Sequence, residues 1–177
     1  MRVKRSRTIV VRRAPGSATR ARVALGHGVM QAALGHGGIR ALKREGDGGT
    51  PLGRFRVRQV LYRADRMRRP RTSVPLRAIR ADDGWCEDPT DRNYNRLVRL
   101  SPGAAADRLA RSDHLYDLVL VLGYNDRPRV RGKGSAIFVH LARPGYAPTA
   151  GCIALARHDL LRLLGEVKRD TQIVIVP

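Results

Sequence analysis

Residues 140–156, HLARPGYAPTAGCIALA, set a histidine and a cysteine twelve positions apart across a Pro- and Gly-rich bend. The preceding AIFVH (136–140) alternates, with Phe138 and His140 on one face and Ile137 and Val139 on the other, so His140 ends a strand. After the bend, Thr149-Ala150-Gly151 leads into Cys152, and RHDLLRLLGEVK (157–168) then repeats Leu160, Leu161, Leu164 and Val167 at helical spacing. The stretch therefore reads strand, bend, cysteine, short amphipathic helix. A strand-end histidine suits a general base, and a thiol at such a turn suits a nucleophile. A buried, inert thiol fits the same residues, and spacing alone leaves both readings open.

Working outward, short β-like runs dominate: 7–13, 21–25, 29–34, 55–64, 116–124, 136–142 and 171–177, separated by Gly, Pro and Asp. They predict a mainly β fold, an antiparallel sandwich or barrel with one or two short helices, including the one after Cys152. The segment from about 67 to 103, rich in Pro, Asp and Arg, reads as one long loop, functional or disordered. A chain of 177 residues fits one domain, 1–177, since this size buries roughly 68–70% of the unfolded surface.

The formal charge is +20, with no acidic residue before Glu45. Such a field attracts polyanions, which makes a basic nucleic-acid-binding module a rival reading. However, the one Trp, five Tyr and two Phe are scattered rather than interleaved with basic runs, so no specific nucleic-acid partner is expected. The N-terminal apolar run spans only 8–11, against the roughly 7–15 residues of a secretory signal, and nothing approaches the ~18 of a membrane span. By sequence the chain reads as cytoplasmic and monomeric. Its two cysteines leave the redox compartment open.

Two GHG triplets, at 26–28 and 35–37, read as turns; two turn histidines are too few ligands for zinc, and no metal or cofactor is expected. EGDGGTPLGRF (45–55) lacks the Gly-Lys-Ser/Thr ending of a phosphate loop. Of the two thiols, Cys86 sits in DDGWCEDP among carboxylates that disfavour a thiolate. Cys152 lies in a basic stretch expected to favour one.

On His140, Thr149-Ala150-Gly151-Cys152 and the upstream TPLGRF (50–55), the sequence resembles the YkuD-type L,D-transpeptidase catalytic domain, in a compact single-domain branch. That family pairs a histidine with Ser/Thr-x-Gly-Cys and carries a TPxGxF hallmark. The segments DDGWCEDPTDRNYNRLV (82–98) and GYNDRPRVRGKGSAIFVH (123–140) resemble the same branch, giving a motif-bearing core of about 45–164. Three features depart from the pattern: a short His–Cys spacer, Ala150 in place of a common histidine, and Ala154 where many members carry Arg or Asn.

The resemblance implies an acyl transferase acting on peptidoglycan stem peptides, with a thioester on Cys152 and His140 as base and then acid. Backbone N–H groups of Gly151 and Cys152 would form the oxyanion hole, and the Leu141 carbonyl would orient His140. Thr149 takes the family's Ser/Thr position in the substrate site. Carboxylates on such a substrate call for a forked arginine, for which Arg143 and Arg157 are nearest in sequence. Trp85 and Tyr94, in the long loop, and Tyr146, on the bend, are the candidate cleft aromatics. The family implies work at the cell envelope, whereas a cytoplasmic L,D-carboxypeptidase would use the same acyl-enzyme with water as acceptor.

Overall fold

The computed structural model describes residues 8–26, 28–101 and 106–177. Its strands are β1 (Thr8–Arg13), β2 (Arg20–Leu25), β3 (Gly28–Ala33), β4 (Ile39–Arg40), β5 (Thr50–Pro51), β6 (Gly53–Tyr62), β7 (Leu76–Ala78), β8 (Asp83–Cys86), β9 (Leu97–Arg99), β10 (Ala106–Arg108), β11 (Leu118–Leu122), β12 (Phe138–Leu141), β13 (Ile153–Leu155) and β14 (Gln172–Val176). One α-helix, α1 (Arg157–Glu166), stands between β13 and β14. His27, in the first GHG triplet, and Gly103, at the end of the expected loop, lie outside the described residues.

Eight strands pair in the cycle β11-β12-β13-β3-β2-β1-β14-β6, and β6 pairs back with β11, so the sheet closes into a barrel. Closure removes the exposed edges that an open sheet must protect. The ten-residue β6 makes it possible: residues 53–56 pair with β14 and residues 57–62 with β11. The expectation of an antiparallel barrel holds only in part. Both β1–β14 and β12–β13 are parallel, as are the small additions β6–β7 and β4–β5.

Alternation along the strands divides the apolar residues into two clusters. Leu118, Leu120, Val139, Ile153, Ile173 and Ile175 line the barrel with Leu160, Leu163 and Leu164 of α1. The helix thus buries Leu163, while Leu161, expected on the apolar face, is exposed. Residues of opposite parity, Leu61, Val119, Val121 and Phe138, pack outside the barrel against Trp85, Leu109 and Tyr116. Trp85 belongs to the three-stranded sheet β10-β8-β9, which forms this outer layer together with Leu109 and Tyr116 of the segment that follows β10. It explains why β11, LVLVL, has no polar position: both of its faces are covered.

The segment expected to be one irregular loop therefore carries β7, β8 and β9. Its strands are only three or four residues long, too short for a period to mark them. Asp83 within β8 is fully buried, which the Arg77 guanidinium at 2.9 Å and the Arg80 N–H at 2.8 Å make tolerable.

Candidate active site

The parallel pairing of β12 with β13 settles how the chain folds back on itself. His140 lies opposite Ala154, and Val139 opposite Ile153. Cys152, one residue before β13, falls beside Phe138, whose backbone N–H donates to Sγ at 3.4 Å. Because side chains alternate, Phe138 and His140 share the outer face of β12. His140 and Cys152 consequently line one cavity of about 570 Å³, between the barrel and the small sheet.

A short turn holds the cysteine. Thr149 Oγ1 donates to Cys152 O at 2.6 Å and accepts the Gly151 N–H at 3.1 Å. Gly151 adopts φ +139°, and a Cβ there would stand 2.8 Å from Gly49 O, so only glycine fits without a shift. The Gly151 N–H, expected to face an oxyanion, is thus already engaged by Thr149.

His140 Nδ1 lies 2.8 Å from Leu141 O. A carbonyl only accepts, so Nδ1 carries the proton and Nε2 is left as the basic nitrogen. The ring meets Tyr116 edge-on at 5.3 Å, and the Tyr116 hydroxyl donates to Asp107 Oδ2 at 2.6 Å. Arg111 stacks over Tyr116 at 5.2 Å and forks onto Asp113.

Burial decides the electrostatics. It pushes His140 down to about 4 despite the Leu141 hydrogen bond, so the imidazole is neutral at pH 7. It also pushes the Cys152 thiol up to about 12, with Asp107 and Glu87 adding to the rise against the Phe138 N–H and Lys43. The cationic field expected to favour a thiolate does not govern this site, because burial outweighs it and Asp107 and Glu87 add to the rise. Glu87 itself is raised to about 7 by desolvation, Asp107 and Glu45. Asp107 is raised as well, chiefly by burial.

The other sequence candidates divide. Arg143 and Thr149 line the cavity, Arg143 half-exposed and 3.7 Å from Asp113. Arg157 lies outside the lining, 3.7 Å from Asp117. Trp85 packs edge-on behind Phe138 at 5.1 Å and donates Nε1–H to Asn95 at 2.9 Å. Tyr94 donates to Glu45 and accepts the Gly134 N–H, while Tyr146 lies under the Arg20 guanidinium at 5.4 Å. None of these three aromatics lines the cavity. Cys86 is buried outside it too, its thiol raised by burial and then by Asp91, Asp88 and Glu87.

Lys43, Glu87, Asp107, Arg111 and Tyr116 line the cavity without having been singled out for it in the sequence. Glu87 had a readable signal: it neighbours Cys86 in DDGWCEDP, but it serves the cavity of the other cysteine. Asp107 and Tyr116 had none, because their place depends on how the small sheet docks. Among the described residues, no three His, Cys, Asp or Glu side chains are grouped to hold a metal, and no helix is long and apolar enough to cross a membrane. Comparison with curated proteins and with solved structures found no match. Residues 2–175 of the 177 match the family model of YkuD, the L,D-transpeptidase catalytic domain, and the chain belongs to that family.

Proposed function

We propose that this L,D-transpeptidase-type domain acts on peptidoglycan stem peptides through a thioester on Cys152, with His140 as the proton carrier. The observation that carries the reading is the β12–β13 register, which sets His140 and Cys152 on one cavity with Nδ1 committed to Leu141 O. The resting pair is a neutral thiol and a neutral imidazole. As sulfur attacks the carbonyl between the L-centre of a diamino residue and a terminal D-amino acid, the thiol proton passes to Nε2. Collapse breaks the C–N bond, Nε2 protonates the leaving amine, and the thioester remains. With the Gly151 N–H held by Thr149, the Cys152 backbone N–H is the donor proposed for the oxyanion, where one good donor is worth ~2.7–4 kcal/mol.

An acceptor amine from a second stem then attacks the thioester, gives its proton to His140 and releases the thiolate, which that proton restores. The same acyl-enzyme attacked by water would make the chain an L,D-carboxypeptidase. Incubation with a tetrapeptide stem, with and without an acceptor stem, followed by intact mass of protein and peptides, tests the scheme. A thioester adduct kept in Cys86→Ala and lost in Cys152→Ala is expected, together with a cross-linked product. A trimmed tripeptide alone would assign the hydrolase instead, and absence of any adduct would overturn the nucleophile.

A further inference from the structure

We propose that His36 is a substrate-binding residue of this site, its imidazole N–H donating to the carboxylate of the terminal D-amino acid that leaves when Cys152 is acylated; this rests on the function proposed above. The triplet Gly35-His36-Gly37 is more than a turn between strands. Gly35 bridges Thr149 in parallel register, the His36 N–H donates to Thr149 O at 2.8 Å, and the Thr149 N–H donates to Leu34 O at 2.9 Å. The loop after β3 and the turn holding the cysteine are therefore one hydrogen-bonded unit. The register sets His36 beside Ala150, and both line the cavity.

Glycines make room for the ring. A Cβ at Gly48 would overlap Nε2, Cε1 and Cδ2 of His36, so the imidazole rests directly against backbone. Gly48 is also at φ +62°, which glycine adopts without strain. At Gly35 a Cβ would overlap Gly48 O and approach Gly151 Cα within 2.8 Å.

Most other polar side chains at the cavity are committed elsewhere. Lys43 donates to Asp47 at 2.7 Å, Glu45 accepts from Tyr94, Asp107 accepts from Tyr116, and Arg111 is forked onto Asp113. His36 is exposed and its imidazole makes no hydrogen bond among the described residues. Glu87 makes none either, but its ionised form repels a carboxylate. Ala150 offers only a methyl group. Arg143, 3.7 Å from Asp113, and the Ser135 hydroxyl line the cavity as well, but His36 is the donor that the Gly35–Thr149 bridge ties to the turn holding the nucleophile.

The test measures acylation of the full chain by intact mass, using a stem tetrapeptide with a free terminal carboxylate and the same peptide as its C-terminal amide. For the free acid, His36→Ala is expected to raise KM by about 10-fold with kcat nearly unchanged, since the contact is made equally in ground and transition states. The amide should acylate the variant and the wild type alike. His36→Ala/Ala150→His, which returns an imidazole from the adjoining chain, should recover binding of the free acid. His36 is exposed, so its replacement spares the fold. Equal effects on both peptides, or none on either, would overturn the assignment while leaving Cys152 acylation intact. A wild type that acylates with neither peptide would overturn the underlying function and this contact with it.

Discussion

Phe138 donates its backbone N–H to Cys152 Sγ at 3.4 Å, while the thiol donates to Ala136 O at 3.1 Å. The sulfur is therefore held by two backbone groups of one strand region before any substrate arrives. A fixed nucleophile saves the entropy of orienting it. A buried one is slow to ionise until a proton acceptor is aligned.

The first consequence concerns thiol reactivity. With the thiol pushed up to about 12, alkylation of the resting protein by iodoacetamide should be far slower than for a free cysteine, which titrates near ~8.5. The rate should still be climbing at pH 10. Glu87→Gln removes one of the charges that raise the thiol, so it should speed alkylation of Cys152 at fixed pH. Labelling followed by peptide mapping checks both, and a plateau near pH 8.5 would contradict the buried-thiol picture.

Stability should also depend on pH through His140. Its folded value is depressed from the ordinary 6.5 to about 4, so between those limits the unfolded chain binds more protons than the folded one. Stability contributed by the neutral ring is fully present above about pH 6.5 and drains away as pH falls toward 4. The shift corresponds to a limit on the order of 3 kcal/mol. Denaturant midpoints for wild type and His140→Asn, compared at pH 7 and pH 4.5, should converge as the pH drops.

Much of this arrangement was legible before any coordinates. The strand carrying His140, which runs on to Leu141 rather than ending at the histidine, the helix after Cys152 and the mainly β fold follow from periods of two and 3.6 residues, which local sequence records directly. The parallel β12–β13 pairing was not legible, because local pattern does not say which strand a strand will join. Nor were Tyr116 and Asp107, whose meeting at 2.6 Å depends on docking the small sheet over the outer face of β11 and β12. His36 shows a subtler limit. Glycines on both sides made it look like turn punctuation, yet Gly35 answers to the close approach of Gly48 and Gly151, contacts that lie far away in sequence.

Thr149 should prove to be a positioning residue acting through the turn. Its hydroxyl serves both Cys152 O and the Gly151 N–H, so Thr149→Val strips two hydrogen bonds at once. Acylation should fall by roughly 10- to 100-fold, about 1.4–2.7 kcal/mol, mostly in kcat. Thr149→Ser keeps the oxygen and should recover most of the rate. A loss confined to KM would instead mark Thr149 as a direct substrate contact.

Gly151→Ala gives the sharpest test of the turn. The substitution asks an L residue to hold φ +139° and places a methyl group 2.8 Å from Gly49 O, which is backbone and cannot rotate away. Strain of this kind costs on the order of 1–3 kcal/mol if the turn persists. If the turn relaxes instead, Cys152 leaves the Phe138 N–H and loses its register with His140. Either route should lower the melting temperature and suppress acylation together. Gly165→Ala is the matched control: it lies in α1, and a Cβ there meets nothing within 4 Å. Replacing a glycine in the last turn of the helix should raise stability by at most about 0.5 kcal/mol and leave acylation unchanged. Parallel melts and intact-mass acylation of the two variants distinguish a special backbone at Gly151 from a general intolerance of the chain to added methyl groups.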